Sequence, residues 1–371
     1  MNPPPSRLLR FLDERIARAR TRHEADCARG ERACYMARQG NFADASREIQ
    51  HLMVRYQEQP DAEIFIWINL AEGLVNYFRE LGHLAREKIM RAYALSSASG
   101  ISNLHALSAA WLAQMDFAKL AASGVATYAM EAFKFGSTDN HAARFRASIV
   151  VAQALHLSGR WDLAAPWYTV ARLHATAEGD TLSISALMHN MVSMRLDHFR
   201  QVILTGGGES SGAAYALVGI DSSENFDSLI GSSTLEELRP IMRARFLSLS
   251  SRPSEALSIY EDQVIGKILT RIVRLESDVM SDIGLCYLKQ GNVVEAKRAI
   301  GVAEDAISRC AQVDDLAATH TRLRDIYSSF GDAATASSHD LRATDLWMEF
   351  RGIQHRFVES LGSVKPPAPP S

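Results

Sequence analysis

Cysteine is scarce in this chain: four in 371 residues, at Cys27, Cys34, Cys286 and Cys310. That is far too few for a disulfide framework. On one helix, Cys27 and Cys34 would stand about 10 Å apart along the axis, beyond the reach of a disulfide. They read as small buried hydrophobes of a reducing compartment. Proline is almost missing from the interior. Seven of eleven lie in the first five or last six residues, and only Pro60, Pro166, Pro240 and Pro253 punctuate the rest. A sandwich or barrel needs more turn chemistry, and no stretch alternates apolar and polar residues as a half-buried strand would. An excess of one charge is also absent. Forty basic against 43 acidic residues leave −3, which excludes the positive field of a non-specific nucleic-acid binder. No apolar run reaches the roughly 18 residues that a bilayer span needs, so no stable membrane insertion is expected. The N-terminal segment lacks the uninterrupted apolar core and cleavage site of a secretory signal, which predicts a cytoplasmic protein.

What is abundant is Ala, Leu, Arg, Glu, Gln and Met, all good helix formers. The interior prolines sit where helices tolerate them. Pro253 suits a first helical position, Pro60 precedes the capping run Asp61-Ala62-Glu63, and Pro166 falls about one turn into its helix. Pro240 should kink or delay the helix containing Glu236, Glu237 and Leu238. The chain is expected to be all-α.

A landmark recurs along it. A glycine closes one helix, a polar residue opens the next, and an alanine follows five residues after the glycine: Gly40/Ala45, Gly124/Ala129, Gly159/Ala164, Gly291/Ala296 and Gly331/Ala336. Weaker copies stand at Gly82 and at Ser251/Ala256, and the spacings are 42, 42, 35, 92, 40 and 40 residues. Small residues precede the landmark by seven positions (Ala33, Ala152, Ala244, Gly284), where two helices must approach closely. Large ones follow it by nine (Ile49, Phe133, Tyr168, Tyr260, Ile300), where a hairpin needs filling. Twelve after it, Ala94, Ala171, Ala303 and Ala343 are small again.

Segments such as DIGLCYLKQGNVVEAKRAIGVAEDAI and VVAQALHLSGRWDLAAPWYTVARLHA resemble the tetratricopeptide repeat (TPR) family. That resemblance implies antiparallel helical hairpins stacked into an α-solenoid of about eight units. The period near 40 rather than 34 is similar to long-helix arrays found beside bacterial regulatory domains. The organisation expected is an amphipathic capping helix at 1–25, the solenoid at 26–360 and a disordered Pro-rich tail at 361–371. The break at 205–235, rich in Gly, Ser and acid, reads as a degenerate repeat with a long mobile connection, or as a lid. In the N-terminal helix, Leu8, Leu9, Leu12 and Ile16 form a narrow stripe among arginines. It suits a cap for the first hairpin, a homodimer contact or an anionic membrane surface.

Chemistry-bearing motifs are sparse. Gly206–Gly212 lacks the lysine and the preceding strand of a phosphate loop. The twelve histidines show no HExxH, no HxH and no Cys/His pair at ligand spacing. There is no GxSxG elbow, and Asp314-Asp315 and Glu236-Glu237 fit helix starts, where they favour the dipole. No catalytic, cofactor or metal residue is expected. The TPR resemblance implies a groove lined by the first helix of each hairpin, at fixed positions before the landmark. Those positions select Asn69, Glu72, Asn76 and Arg79, then Gln114 with Trp111, then Arg146, Gln153 and His156, then Arg245, Asp278 and Asp325. Such amides and arginines suit a peptide backbone or terminal carboxylate, or they are a solvated face. The expected function is a non-enzymatic adaptor for a protein or peptide. The alternative is a sensor of a small ligand or signalling peptide that acts in trans on an enzyme or transcription factor.

Overall fold

The computed structural model describes residues 6–80, 83–207, 213–230, 236 and 238–368. Helix α1 (Arg7–Arg18) precedes eight helical pairs. They are α2 (Arg22–Gln39) with α3 (Phe42–Arg55), α4 (Ala62–Glu80) with α5 (His83–Ala98), α6 (Ser102–Phe117) with α7 (Ala122–Phe135), and α8 (His141–Leu157) with α9 (Trp161–Glu178). Then come α10 (Thr181–Leu204) with α11 (Ala213–Ile230), α12 (Leu238–Leu249) with α13 (Pro253–Ile259), α14 (Glu276–Lys289) with α15 (Val293–Ala306), and α16 (Val313–Ser329) with α17 (Ala333–Leu361). No strand occurs among the described residues. The members of each pair pack on one another, and α2 packs on α4, α6 on α8 and α14 on α16. No helix among the described residues is long and apolar enough to cross a membrane.

The pairing follows from the sequence landmark. At Gly40, Gly159, Gly291 and Gly331 the chain turns through the left-handed region, with φ of 72 to 89°, where a side chain would be strained. Ser251 takes the same turn at φ 58° without being glycine. The copy at Gly124 is placed differently from the reading above. Leu120 makes the turn at φ 56°, and Gly124 lies inside α7, where a Cβ would collide with the Asp116 carboxylate. The small positions are tight as expected: Ala33, Ala152 and Ala244 are fully buried, and a Cβ on Gly284 would come within 2.8 Å of Ile300. Ala94 is exposed, and Ala92 takes the buried place on α5.

Three further differences concern breaks in the rhythm. The Gly/Ser-rich stretch 205–235 contains the eighteen-residue helix α11, which packs on α10 and α12. Hydrophobic positions such as Ile220 bury it despite its polar composition. Pro240 stands in the first turn of α12, which begins at Leu238, where no N–H is required; Glu237 lies outside the described residues. A second irregular region is unannounced by composition. After α13, a π-helical turn at Tyr260–Val264 leads into turns that return only at α14.

The chain is also closed on itself. The 29-residue α17 lies against α7 and α8, and its Phe357 meets Phe117 at the end of α6 with the rings tilted and their centroids 6.0 Å apart. Gln354 donates to the Leu157 carbonyl at 2.7 Å, and Gln312 donates to the Ala118 carbonyl at 2.9 Å.

Candidate functional site

The helices α2, α4 and α6, with α1 and the start of α8, enclose a cavity of about 470 Å³. One side of its wall is apolar: Trp67, Leu70 and Leu74 from α4, and Leu104, Leu107 and Trp111 from α6. Each set is spaced by three and four residues, so one face of each helix points inward. Charged groups surround this wall, among them Arg15, Glu31, Arg38, Glu178 and Asp180. Burial, then the nearby Glu31 and Asp180, pushes the Glu178 carboxyl up to about 7. Arg38 and Asp180 form an ion pair at 2.7 Å.

Helix α1 contributes to the cavity wall. Leu8 and Leu12 are buried against Tyr35 and Leu182, and the Leu8 N–H donates to the Gly179 carbonyl at 3.2 Å. Arg7 crosses Gly179 so closely that a Cβ there would come within 2.8 Å of it. Ion pairs Arg15–Glu31 (2.6 Å) and Asp13–Arg32 (2.7 Å) fix α1 along α2. The stripe expected to cap the first hairpin therefore bridges α2 and the corner between α9 and α10.

Next to this wall lies an arginine of unusual standing. The Arg146 guanidinium sits 4.0 Å from the centroid of the Trp111 ring and is 7% exposed. Its Nη1 donates to Gln114 Oε1 at a long 3.4 Å, and its buried Nε has no hydrogen-bond partner. Among the described residues no carboxylate forms an ion pair with it. Burial, then the charge of Arg38, pulls its pKa down to about 9. Tyr77 and Phe78 stand edge-on to the same Trp111 ring, at 6.2 and 6.1 Å.

The residues singled out from sequence divide into separate groups. Gln114 and Arg146 meet at the Trp111 ring, which is part of the cavity wall, although neither lines the cavity itself. Gln153 and His156 lie further along α8, both buried: Gln153 Oε1 has no partner, and His156 is within 3.2 Å of the Tyr168 hydroxyl. The α4 set faces elsewhere. Asn69 donates to the Phe65 carbonyl of its own helix at 2.7 Å, and Glu72 pairs with Lys88 of α5 at 2.5 Å. Arg79 is exposed over the Phe42 ring, and Asn76 is half-buried. None of these four lines the cavity, whereas Trp67, Leu70 and Leu74, assigned above to no binding role, do. Asp325 pairs with its neighbour Arg324.

Arg245 belongs to a second polar centre, between α10, α12, α14 and α16. Arg200 donates to Asp315 at 2.6 Å, to Asp314 at 2.5 Å and to Asp278 at 3.2 Å. Arg245 pairs with Asp278 and, at 3.4 Å, with Asp197. Arg322 reaches Asp278 at 2.7 Å and Asp282 at 3.2 Å, and Tyr260 and Ser248 both donate to Asp282. Burial opposes ionisation of Asp278, but Arg245, Arg322 and Arg200 outweigh it and hold the carboxyl well below its usual range. Five carboxylates face three guanidiniums, and the surplus falls on Asp314, which burial and then Asp315 push up to about 7. The reading of Asp314-Asp315 as dipole partners of a helix start captured only part of their role.

No family model matches the chain, and no curated protein is detectably similar to it. The thiols are held in their protonated form: burial raises Cys34, and pushes Cys27 and Cys286 to about 12 and Cys310 to about 11. One His/Cys pair was passed over in the sequence reading. His23 and Cys27 stand one turn apart on α2, with Sγ 3.8 Å from the imidazole nitrogens. The i, i+4 spacing was the available signal, and it is one helical face.

Proposed function

We propose that the protein is a non-enzymatic adaptor, a TPR-like solenoid whose inner cavity receives an extended segment of another protein. One observation carries this reading: Arg146 is buried, charged and without a carboxylate. Burying an unpaired charge costs several kcal/mol, so such a group is retained where a ligand completes it. Its stacking on Trp111 orients the planar guanidinium for a carboxylate. The apolar wall of Trp67, Leu70, Leu74 and Leu107 suits one or two aliphatic or aromatic side chains beside that carboxylate. The segment taken would thus combine an apolar residue with an acidic or C-terminal carboxyl group.

A capture experiment tests this with two baits, the wild-type chain and Arg146→Met, at equal amounts of folded protein. A stoichiometric partner retained by the wild type and lost by the variant is the expected result. A peptide from that partner should bind with a free carboxylate and not as its amide. A partner retained equally by both baits would place recognition elsewhere.

The placement of α1 favours a second reading, a sensor of a small ligand or peptide. Leu8 and Leu12 form part of the cavity wall, so an occupant touches a helix that bridges α2 and the corner between α9 and α10. Hydrogen exchange of α1 with and without a bound ligand separates the two: a sensor changes protection there, and a passive adaptor does not.

A further inference from the structure

We propose that His23, Cys27 and Glu63 form a divalent metal site of zinc type at the junction of α2 and α4, with Asp61 orienting the imidazole. The ligand atoms of the three residues lie within 4.8 Å of one another. His23 Nε2 is 3.9 Å from the Glu63 carboxylate, and both imidazole nitrogens are 3.8 Å from Cys27 Sγ. A tetrahedral zinc with bonds of about 2.0–2.3 Å has ligand-to-ligand edges of roughly 3.3–3.8 Å. The observed spacings of 3.8 and 3.9 Å lie at or just above that size.

The donors are of mixed softness: one thiol, one imidazole and one carboxylate. That combination suits a borderline ion such as Zn²⁺ and disfavours Mg²⁺ or Ca²⁺, which take oxygen. The surroundings supply the orienting group that metal-bound histidines ordinarily have. Asp61 Oδ1 lies 3.1 Å from His23 Nε2 and is itself fixed, because it accepts the Ile64 N–H at 3.0 Å as the cap of α4. With Nε2 donating to Asp61, Nδ1, 3.8 Å from Cys27 Sγ, is left to bind the ion, and the Glu63 side chain, which stands 3.9 Å from Nε2, has to turn towards it. Cys27 is buried while His23 and Glu63 are partly exposed, so the sulfur sits at the closed end and an ion can enter from solvent. Three protein ligands leave a fourth position for water.

The Asp61 cap and its bond to His23 explain those two residues as structure alone. Core packing accounts for the burial of Cys27, and the first turn of α4 for an acid at Glu63, but neither accounts for their convergence on the same imidazole. On binding, the ion takes the place of the thiol proton, which passes to solvent, and the sulfur–metal bond forms with no change of oxidation state.

The test uses the full chain, stripped with a chelator and titrated with Co²⁺ alone, then with Zn²⁺ alone. One Co²⁺ per chain should bind with a thiolate-to-cobalt charge-transfer absorption, and one equivalent of Zn²⁺ should abolish that absorption. Cys27→Ser should remove the charge-transfer band, and Glu63→Gln should weaken Co²⁺ at least tenfold. His23→Gln and Glu63→Gln alter partly exposed side chains, so they report even where Cys27→Ser fails to fold. A folded wild-type chain without the cobalt–thiolate band, or a band that survives in folded Cys27→Ser, would overturn the proposal. So would full affinity in both exposed-residue variants.

Discussion

Two buried arginines, Arg322 and Arg146, show opposite treatments of the same cation. Arg322 is fully buried on α16 and reaches Asp278 and Asp282, inside a network that also holds Arg200 and Arg245. Arg146 is nearly as buried on α8, yet among the described residues it meets the rings of Trp111 and Phe145 and one distant amide oxygen, and forms no ion pair. In the first region, charge is matched by charge and the carboxylates depend on the arginine. In the second, no carboxylate among the described residues is paired with the arginine. A buried ion that its neighbours need is structural, whereas one that they do not need has to be explained by something outside the chain.

The largest expected effect sharpens the structural side. Arg322→Met takes from Asp282 its arginine partner and from Asp278 one of three, and it should cost about 3–5 kcal/mol in urea unfolding, as removal of one partner of a buried pair does. A loss below about 1 kcal/mol would mean that Arg200 and Arg245 suffice for the five carboxylates.

The surplus acid in the same network gives a pH signature. Asp314 keeps its proton up to about pH 7 in the folded chain, against the ordinary value of 3.8. Between these values the folded form holds the extra proton. Stability from this group is full below about pH 3.8 and is lost as pH rises towards 7, by at most about 1.4 kcal/mol per pH unit. Burial pulls His156, His174, His189 and His320 down to about 4, which gives the opposite slope. Their stability is full above the ordinary 6.5 and is lost as pH falls towards 4. The measurement is therefore a difference: unfolding of Asp314→Asn minus wild type from pH 4 to 8. Asp314→Asn should fall less steeply as pH rises, and parallel curves would mean that Asp314 is ionised throughout.

Arg146→Met bears on the other side of the comparison. It removes a desolvated charge and orphans no carboxylate, so stability should stay level or rise by about 1–2 kcal/mol. Binding of a carboxylate-bearing partner should weaken by about 1–3 kcal/mol. Calorimetric melting with a binding isotherm checks both. Destabilisation on the scale of Arg322→Met would show the two arginines to be alike.

The smallest effect belongs to Arg79→Ala. The side chain is exposed over Phe42, and its removal should change stability by no more than about 0.5 kcal/mol. Partner affinity should not move, because the residue is not in the cavity wall. A loss comparable to that of Arg146→Met would extend the binding surface to the outer end of α4.

How much of this was legible depended on the range of the interactions. The turn glycines Gly40, Gly159, Gly291 and Gly331 declare themselves locally, because only backbone conformation is at stake. Gly124 misled because glycine also serves close packing, here against Asp116, and Leu120 bore the turn. Helix α11 was hidden by a composition that looks like loop, since its burial comes from neighbours on α10 and α12. For the candidate site, the fixed-position rule picked Gln114 and Arg146, which meet at the Trp111 ring. It also picked the polar face of α4, because amides and arginine look more like binding groups than Trp67 or Leu74. Helices such as α8 are buried on every side, so no polar stripe marks which apolar face lines a cavity. The charge network could not be seen at all: Arg200 and Asp315 are 115 residues apart.

The return of α17 to α7 and α8 bears on how the molecule comes apart. In an array where each hairpin touches only its neighbours, the ends fray first and unfolding spreads inwards in steps. Here the last helix is anchored to the middle of the chain through Phe357, Gln354 and the Leu157 carbonyl. Neither the α8–α9 pair nor the α16–α17 pair can then open without breaking a seam that belongs to the other. The latch spans about two hundred residues of sequence, so closing it is slow in entropy terms and falls late in folding. Once it is made, the segment from α8 to α17 should unfold as one cooperative unit.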